Sequence, residues 1–320
     1  MQKTKLIRQI LSLLLVLLLT ALYNGSIYLL FTRRCANNFG SAQSAKMIEP
    51  ERYLPFDEDS EIARVDASLS LSGDLPVLDG ATALLPVYSA VIHALYPEGS
   101  CEFDGEEFSE TSAMQYKNTV RGYRAIVDGD TDVFFSAGPS EAQRAYAEEK
   151  GVELVYVPIG LEAFVFLVNA ENPVDSLTVD EIRSIYAGEC TNWRDVGGAN
   201  RIVNPLTRLE GSGSQTTMEK FMKGTEIKKS PLAFLGASIG FSFRYYTDGI
   251  VENGDVKMLS VNGVYPSSEN VRNGSYPITQ EFYAIYRSDN DNPNVALLID
   301  WLLSEEGQTL IEKSGYVGIK

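Results

Sequence analysis

Short apolar runs alternate with amphipathic segments along most of the chain. The apolar runs have the length of strands and lie at residues 132–136, 154–157 and 164–168. Between and after them, apolar residues recur at helical spacing, as in residues 179–186 and 295–311. This alternation is typical of an α/β fold, and it predicts strands at the three runs and helices at the two amphipathic segments.

The start of the helix predicted at residues 179–186 carries its own signal. Thr178 precedes the segment, and Glu181 follows three residues later. This spacing is that of a capping box, in which each side chain accepts a hydrogen bond from a backbone N–H of the other residue. The sequence therefore predicts that the helix begins directly after Thr178.

The N-terminal segment is almost continuously apolar over residues 10–31, which is long enough to span a bilayer. Basic residues flank it at both ends. A cleaved signal peptide with its apolar core at 10–22 is the alternative. Because apolar residues resume at 27–31, we favour an uncleaved anchor over residues 1–34, followed by a polar stalk with some local structure at 35–74. Either reading places the rest of the chain outside the cytoplasm.

The net charge of −16 limits the partners that the chain can have. The first 34 residues carry five basic and no acidic residues, so the remainder has a net charge of −21. Such a surface repels nucleic acid and anionic lipid, and neither is predicted as a partner. Any anion site must then be built from local donors and helix dipoles.

Cysteine and histidine residues are few. Three cysteines without metal-type spacing and one histidine, His93, argue against a zinc site, and no metal or cofactor is predicted. Cys101 and Cys190 can pair in an oxidising compartment, although unpaired thiols are the favoured interpretation. We interpret His93 as a packed or surface residue within a helix.

Three segments place a hydroxyl residue shortly before an amphipathic helix. They begin at Thr82, at Thr119 and at the loop Gly211-Ser212-Gly213-Ser214. A helix N-terminus offers unpaired N–H groups and the positive end of the helix dipole, which together favour anions. Arg208, just ahead of the third start, can add a forked, charged donor. Simple helix capping is the alternative for each segment alone.

These segments resemble the phosphate-binding subunits of phosphate ABC importers, from residue 79 to the C-terminus. Residues 208–214 resemble the phosphate loop of that family, and Gly80-Ala81-Thr82 with Pro86-Val87-Tyr88 resembles its first anion-binding turn. Residues 119–122 are similar to its second turn, and 132–139 to the strand and turn that follow.

The resemblance implies a two-lobe type II periplasmic-binding-protein fold with the ligand in the cleft. Lobe one would combine residues 75–157 with 248–320, and lobe two would be 158–247. The resemblance implies a binding protein rather than an enzyme. Such a protein binds inorganic phosphate or a related oxyanion and passes it to an ABC permease and ATPase. The implied ligand-binding residues are Thr82, Ala83, Thr119, Arg208, Glu210, Ser212, Gly213 and Ser214.

One departure from the family bears on selectivity. Ala137 stands where the family usually has an aspartate that accepts a proton from bound phosphate. Without that acceptor, discrimination between phosphate and sulfate is lost unless another carboxylate replaces it. We hypothesise that Glu210 does so, with Glu162 and Glu110 as further candidates.

Two other classes of function compete with transport. A serine hydrolase would need a base for Ser212 or Ser214, and the only histidine lies within a predicted helix. A membrane-anchored oxyanion sensor would share the fold and the anchor but would signal to a partner. The sequence favours the transport function over both.

Overall fold

The computed structural model describes residues 2–36, 49–228, 233–247 and 255–319. Its α-helices are α1 (Gln2–Ala36), α2 (Leu85–Leu95), α3 (Asn118–Asp128), α4 (Glu141–Lys150), α5 (Val179–Tyr186), α6 (Gly213–Met222), α7 (Ser268–Arg272), α8 (Pro293–Leu302) and α9 (Glu305–Lys313). Its strands are β1 (Leu78–Gly80), β2 (Val133–Ala137), β3 (Leu154–Asn169), β4 (Ser176–Leu177), β5 (Val203–Pro205), β6 (Ala237–Phe243), β7 (Val256–Met258), β8 (Ser260–Val261) and β9 (Thr279–Arg287). Short 3-10 helices lie at Pro50–Tyr53, Thr82–Leu84, Trp193–Val196 and Ala233–Leu235.

The strand β3 connects the two halves of the fold. Its first part pairs antiparallel with β9, from Leu154 opposite Arg287 to Ala163 opposite Thr279. Its second part pairs antiparallel with β6 and β7. The strands predicted at 154–157 and 164–168 are therefore one continuous strand, because partners from distant parts of the chain extend the pairing through the residues between them.

The strand order of the main sheet is β1-β2-β9-β3-β6-β5, with β7 on β3. The pairs β1–β2 and β5–β6 are parallel, whereas β2–β9 is antiparallel. The short strands β4 and β8 form a separate parallel pair. This mixed arrangement confirms the predicted α/β class.

The buried apolar residues form separate clusters on the two parts of β3. One cluster packs α2, α8 and α9 against β1 and β2, and a smaller one packs α3 and α4 on the opposite face of the same strands. Another surrounds the second part of β3 and includes residues of α5, α6 and β6. The strands β3 and β9 cross between these regions as an antiparallel pair.

The structure differs from the predicted lobe boundary at residue 248. The cluster that contains α5 and α6 also buries Met258, Leu259, Val261, Val271 and Tyr276. The chain returns to the first region only along β9. The strands β7 and β8 cause this difference, since each pairs with a strand far away in the sequence.

The prediction of a stalk at residues 35–74 is wrong for residues 49–74. Residues 37–48 lie outside the described residues. Tyr53, Ile62 and Leu71 are buried against the core around α2. Ser89 donates a hydrogen bond to the backbone oxygen of Tyr53, and Nδ1 of His93 lies at the carbonyl oxygen of Pro55. The segment 49–74 is thus part of the folded domain, because its scattered apolar residues find a surface that only the folded chain provides.

Two helix predictions have different outcomes. The capping box at α5 is confirmed: Oγ1 of Thr178 accepts from the N–H of Glu181, and Oε2 of Glu181 accepts from the N–H of Thr178 at 2.7 Å. The prediction of a single helix at 295–311 is wrong. It is divided into α8 and α9, because Ser304 caps a new helix by accepting from the N–H of Gly307.

The helix α1 includes residues 10–27, which have a mean hydropathy of 2.1. By length and composition these residues can cross a membrane, and an N-terminal signal sequence would meet the same criteria. The thiols of Cys101 and Cys190 are both free. They pack against different cores, and burial raises the pKa of Cys101 to about 11.

Candidate anion-binding site

The first predicted turn joins β1 to α2. The N–H of Ala81 donates to the oxygen of Phe135 on β2 at 2.7 Å, which holds the turn against the sheet. Thr82 begins a 3-10 turn, and α2 starts three residues later with Pro86 in its first turn, so Thr82 does not cap the α-helix. Burial raises the pKa of Tyr116, and the side chain of Thr82 partly opposes that rise as a hydrogen-bond donor. No residue with a side chain fits at position 80, because the Cβ added to Gly80 would lie 2.5 Å from the ring of Tyr88.

The second predicted turn leads into α3. Asn118 adopts the left-handed conformation with φ of 59°, and its side chain accepts a hydrogen bond from the N–H of Val120. Thr119 is therefore the second residue of the helix rather than the residue before it. This turn places Val120 next to the third turn. The Cγ2 atom of Val120 lies 3.6 Å from the position that a Cβ would occupy on Gly211.

The buried carboxylate of Asp79 links the first two turns. Its Oδ1 accepts from the N–H of Gly80 at 2.7 Å and from the N–H of Lys117 at 3.0 Å. Burial raises the pKa of Asp79 to about 6, and the two N–H groups partly oppose that rise. Asp79 is thus a positioning residue for both turns.

The third predicted turn is the loop that ends in α6. Gly211 has φ of +76°, and Ser212 caps α6 by accepting from the N–H of Gln215 at 3.3 Å. Oε1 of Gln215 in turn accepts from the N–H of Arg208 at 2.9 Å, so the loop is closed at both ends. Across the cleft, Nε2 of Gln143 on α4 donates to the oxygen of Gly211 at 3.4 Å.

A small cavity of about 40 Å³ lies where the first turn, the end of β2 and the start of α6 meet. Its walls include Ala83, Ser136, Ala137, Glu162 and Gly213. Ser136 is buried, and its hydroxyl has no hydrogen-bond partner among the described residues. A buried hydroxyl without a partner is costly, so a ligand with acceptor oxygens would be favoured there.

Seven of the eight predicted binding residues fall into two groups, and the eighth, Thr119 in α3, lines neither the cavity nor the groove between α4 and α6. Ala83 and Gly213 line the cavity, and Thr82, Ser212 and Ser214 are their direct neighbours in the chain. Arg208 and Glu210 are exposed to solvent in the loop, and Glu210 borders a separate, wider groove between α4 and α6. The structure therefore does not place Glu210 in the cavity wall beside Ala137.

Glu162 is the buried carboxylate of the cavity. Only 4% of the surface of Glu162 is exposed to solvent. The Oε1 atom accepts from the N–H of Ala163 at 2.9 Å and lies 3.5 Å from Nε of Arg244. Arg244 also donates to the oxygen of Gly315 at 2.7 Å, so the ion pair is held by two separate segments.

Lys220 brings a positive charge to the turn that follows β2. Its Nζ lies 3.1 Å from the position of a Cβ on Gly138, although Lys220 belongs to α6 on the other side of the cleft. Burial lowers the pKa of Lys220, and the nearby charge of Arg144 lowers it further. Lys220 and Arg144 both border the wider groove between α4 and α6, where their positive charges repel each other.

Ser136, Lys220 and Arg244 are not among the residues that the sequence predicts for the site. Ser136 lies in an apolar strand, Lys220 lies on a helix beyond its first turn, and Arg244 follows a strand at the far end of the second region. The signal for Ser136 was a lone hydroxyl at the end of a buried run, directly before Ala137. Nothing local marks the other two residues, because both act across the cleft.

The chain is similar in sequence to a family of known proteins. The sequence model of the PBP superfamily domain matches residues 77–306. The phosphate-binding protein PstS of Bacillus subtilis is 26% identical over 266 residues, which cover 78% of this chain and 81% of that protein. The PstS protein of Borreliella burgdorferi is 26% identical over 181 residues, and the chain spans 64% of its length.

The comparison with solved structures gives the fold. A crystal structure from Clostridium perfringens, assigned as a phosphate ABC transporter substrate-binding protein with bound phosphate, matches with a TM-score of 0.57. The match covers 76% of this chain and 98% of that one at 22% sequence identity, so it shows the fold. Since the family match covers well over half of the sequence, the chain belongs to the PBP superfamily.

Proposed function

We propose that the chain is an extracytoplasmic binding protein that captures inorganic phosphate and delivers it to an ABC permease and ATPase. The relatives that match it carry phosphate-binding and phosphate-transport names, which supports this ligand and these partners. The alternative of a membrane-anchored oxyanion sensor is not favoured, because these relatives are transport receptors and binding proteins.

The cavity is the observation that carries the proposal. Segments from distant parts of the chain, among them the first turn, the end of β2 and the start of α6, enclose a cavity of about 40 Å³. Pockets for organic ligands usually enclose about 300–1,000 Å³, so this cavity suits a small inorganic ion. The first residue of α6 lies in its wall, where the backbone N–H groups and the helix dipole favour negative charge.

The proposed ligand contacts follow from this arrangement. Backbone and hydroxyl donors come from Thr82, Ala83, Thr119, Ser212, Gly213 and Ser214, and Arg208 supplies the ionic contact. Arg208 is exposed in this structure, so its part in binding requires the side chain to turn towards the ligand. Such donors overcome the acidic surface of the chain, because they act at short range.

Titration calorimetry tests the ligand and the role of Arg208. The full chain in detergent micelles is expected to bind phosphate saturably at one site. Arg208→Ala should weaken binding by about tenfold to a hundredfold, the scale of a hydrogen bond to a charged group. Arg194→Ala is the control, since Arg194 is paired with Asp195 on a distant 3-10 turn. Absence of phosphate binding would contradict the proposed function, whereas unchanged affinity in Arg208→Ala would contradict only the role of Arg208.

We further propose that α1 stays on the mature protein and anchors it in the membrane. The apolar stretch exceeds the core of an ordinary signal peptide, and residues 49–74 pack onto the domain. N-terminal sequencing of the mature protein in its native host is expected to give a start before residue 10. A start at residue 26 or later would show cleavage and secretion instead.

A further inference from the structure

The cavity contains a carboxylate at a different place from the one that the family pattern provides. Ala137 and Glu162 border the same small space, from β2 and from the first part of β3. The cavity encloses only about 40 Å³, so each group in its wall lies close to an ion bound there. The acceptor that Ala137 lacks can therefore come from Glu162.

Glu162 is fixed in position by its surroundings. The ion pair with Arg244 and the hydrogen bond from the N–H of Ala163 hold its Oε1 atom. Arg244 balances the carboxylate charge within the protein, which reduces the cost of burying it. A carboxylate has about four acceptor positions, so it can accept a ligand hydroxyl in addition to these contacts.

The other carboxylates near the cleft are less suitable. Glu210 is exposed and borders the outer groove. Glu281 also lines the cavity, but its residue is exposed, and its Oε2 atom accepts from the hydroxyl of Tyr283 at 2.7 Å. Among the described carboxylates that line the cavity, Glu162 is the buried one.

The chemistry of a buried acceptor selects the ligand. Phosphate keeps at least one proton near neutral pH, and its hydroxyl can donate to a carboxylate. Sulfate carries no proton there, so its oxygens meet the same carboxylate with repulsion alone. We propose that Glu162 is the specificity-determining acceptor that makes this site prefer protonated tetrahedral oxyanions over sulfate. This inference rests on the proposed function.

The test compares phosphate and sulfate affinities of the full chain in detergent micelles by calorimetry at neutral pH. Glu162→Gln should lower the preference for phosphate over sulfate by about tenfold or more, the effect of losing one charged hydrogen bond. Glu189→Gln makes the same change of charge at an exposed residue after α5 that borders neither the cavity nor the outer groove, and it should leave the preference unchanged. Glu162→Gln combined with Ala137→Asp should restore it, since a carboxylate returns at the family position.

Ala137→Asp alone provides a second measurement that keeps Glu162 intact. In buffer well above the second pKa of phosphate, where the form with a single hydroxyl dominates, a second carboxylate adds repulsion without a new hydrogen bond, so phosphate affinity should fall. A rise in phosphate affinity in this variant would overturn the inference, as would an unchanged preference in Glu162→Gln. Either result leaves the proposed function intact, whereas a wild-type chain without phosphate binding would refute that function itself.

Discussion

Gly213→Asp is expected to weaken phosphate binding by roughly a thousandfold. Gly213 is the first residue of α6 and lies in the cavity wall. A Cβ at this position would lie 3.7 Å from the ring of Phe243, an ordinary contact, and an acidic residue in the first turn suits the helix dipole. The fold should therefore tolerate the change. In the cavity, however, two unit charges about 4 Å apart repel by about 4 kcal/mol at an effective dielectric constant of 20. That energy corresponds to roughly a thousandfold loss of affinity.

Gly213→Asn and Gly213→Ala separate charge from shape in this experiment. Asparagine has nearly the same volume as aspartate but no charge, and alanine adds only the Cβ. Calorimetry should give phosphate affinities in the order alanine, asparagine, aspartate, with the largest step at the last. Equal affinities of the aspartate and asparagine variants would show that phosphate does not bind beside α6.

Phe164→Ala is expected to destabilise the domain by about 3–5 kcal/mol, the usual cost of removing a buried aromatic side chain. Phe164 is fully buried on β3, just beyond the crossing between the two regions. Its ring packs against those of Phe166, Phe241 and Phe243 at centroid distances between 5.5 and 5.7 Å. The loss would open a cavity in the centre of this cluster. Thermal unfolding followed by near-ultraviolet circular dichroism measures the effect.

Tyr265→Ala is the matched control for this variant. Tyr265 is 48% exposed, and the hydrogen bonds recorded for it use its backbone oxygen, which the substitution keeps. Its melting temperature should remain close to that of the wild type. Similar losses in both variants would mean that the aromatic cluster around Phe164 does not stabilise the domain as its packing indicates.

The features that sequence alone could predict are local. The capping box of α5 needs only Thr178 and Glu181, three residues apart, and the helix starts where these residues place it. Ser212 caps α6 for the same reason. Hydrogen bonds between neighbouring residues and the period of apolar side chains depend on short stretches of chain, so they can be read without the fold. The apolar N-terminal helix belongs to this class as well.

The pairing of distant segments required the tertiary structure. Residues 256–278 join the second region because β7 pairs with β3 and β8 with β4, and no short stretch of sequence encodes those partners. The same limit applies to the site. Glu210 is next to the glycine loop in sequence, yet it lies outside the cavity, whereas Glu162 reaches the wall from a strand some fifty residues earlier. Burial and charge pairing are properties of surfaces brought together by folding, and only the packing of β3 against β9 and α6 decides them.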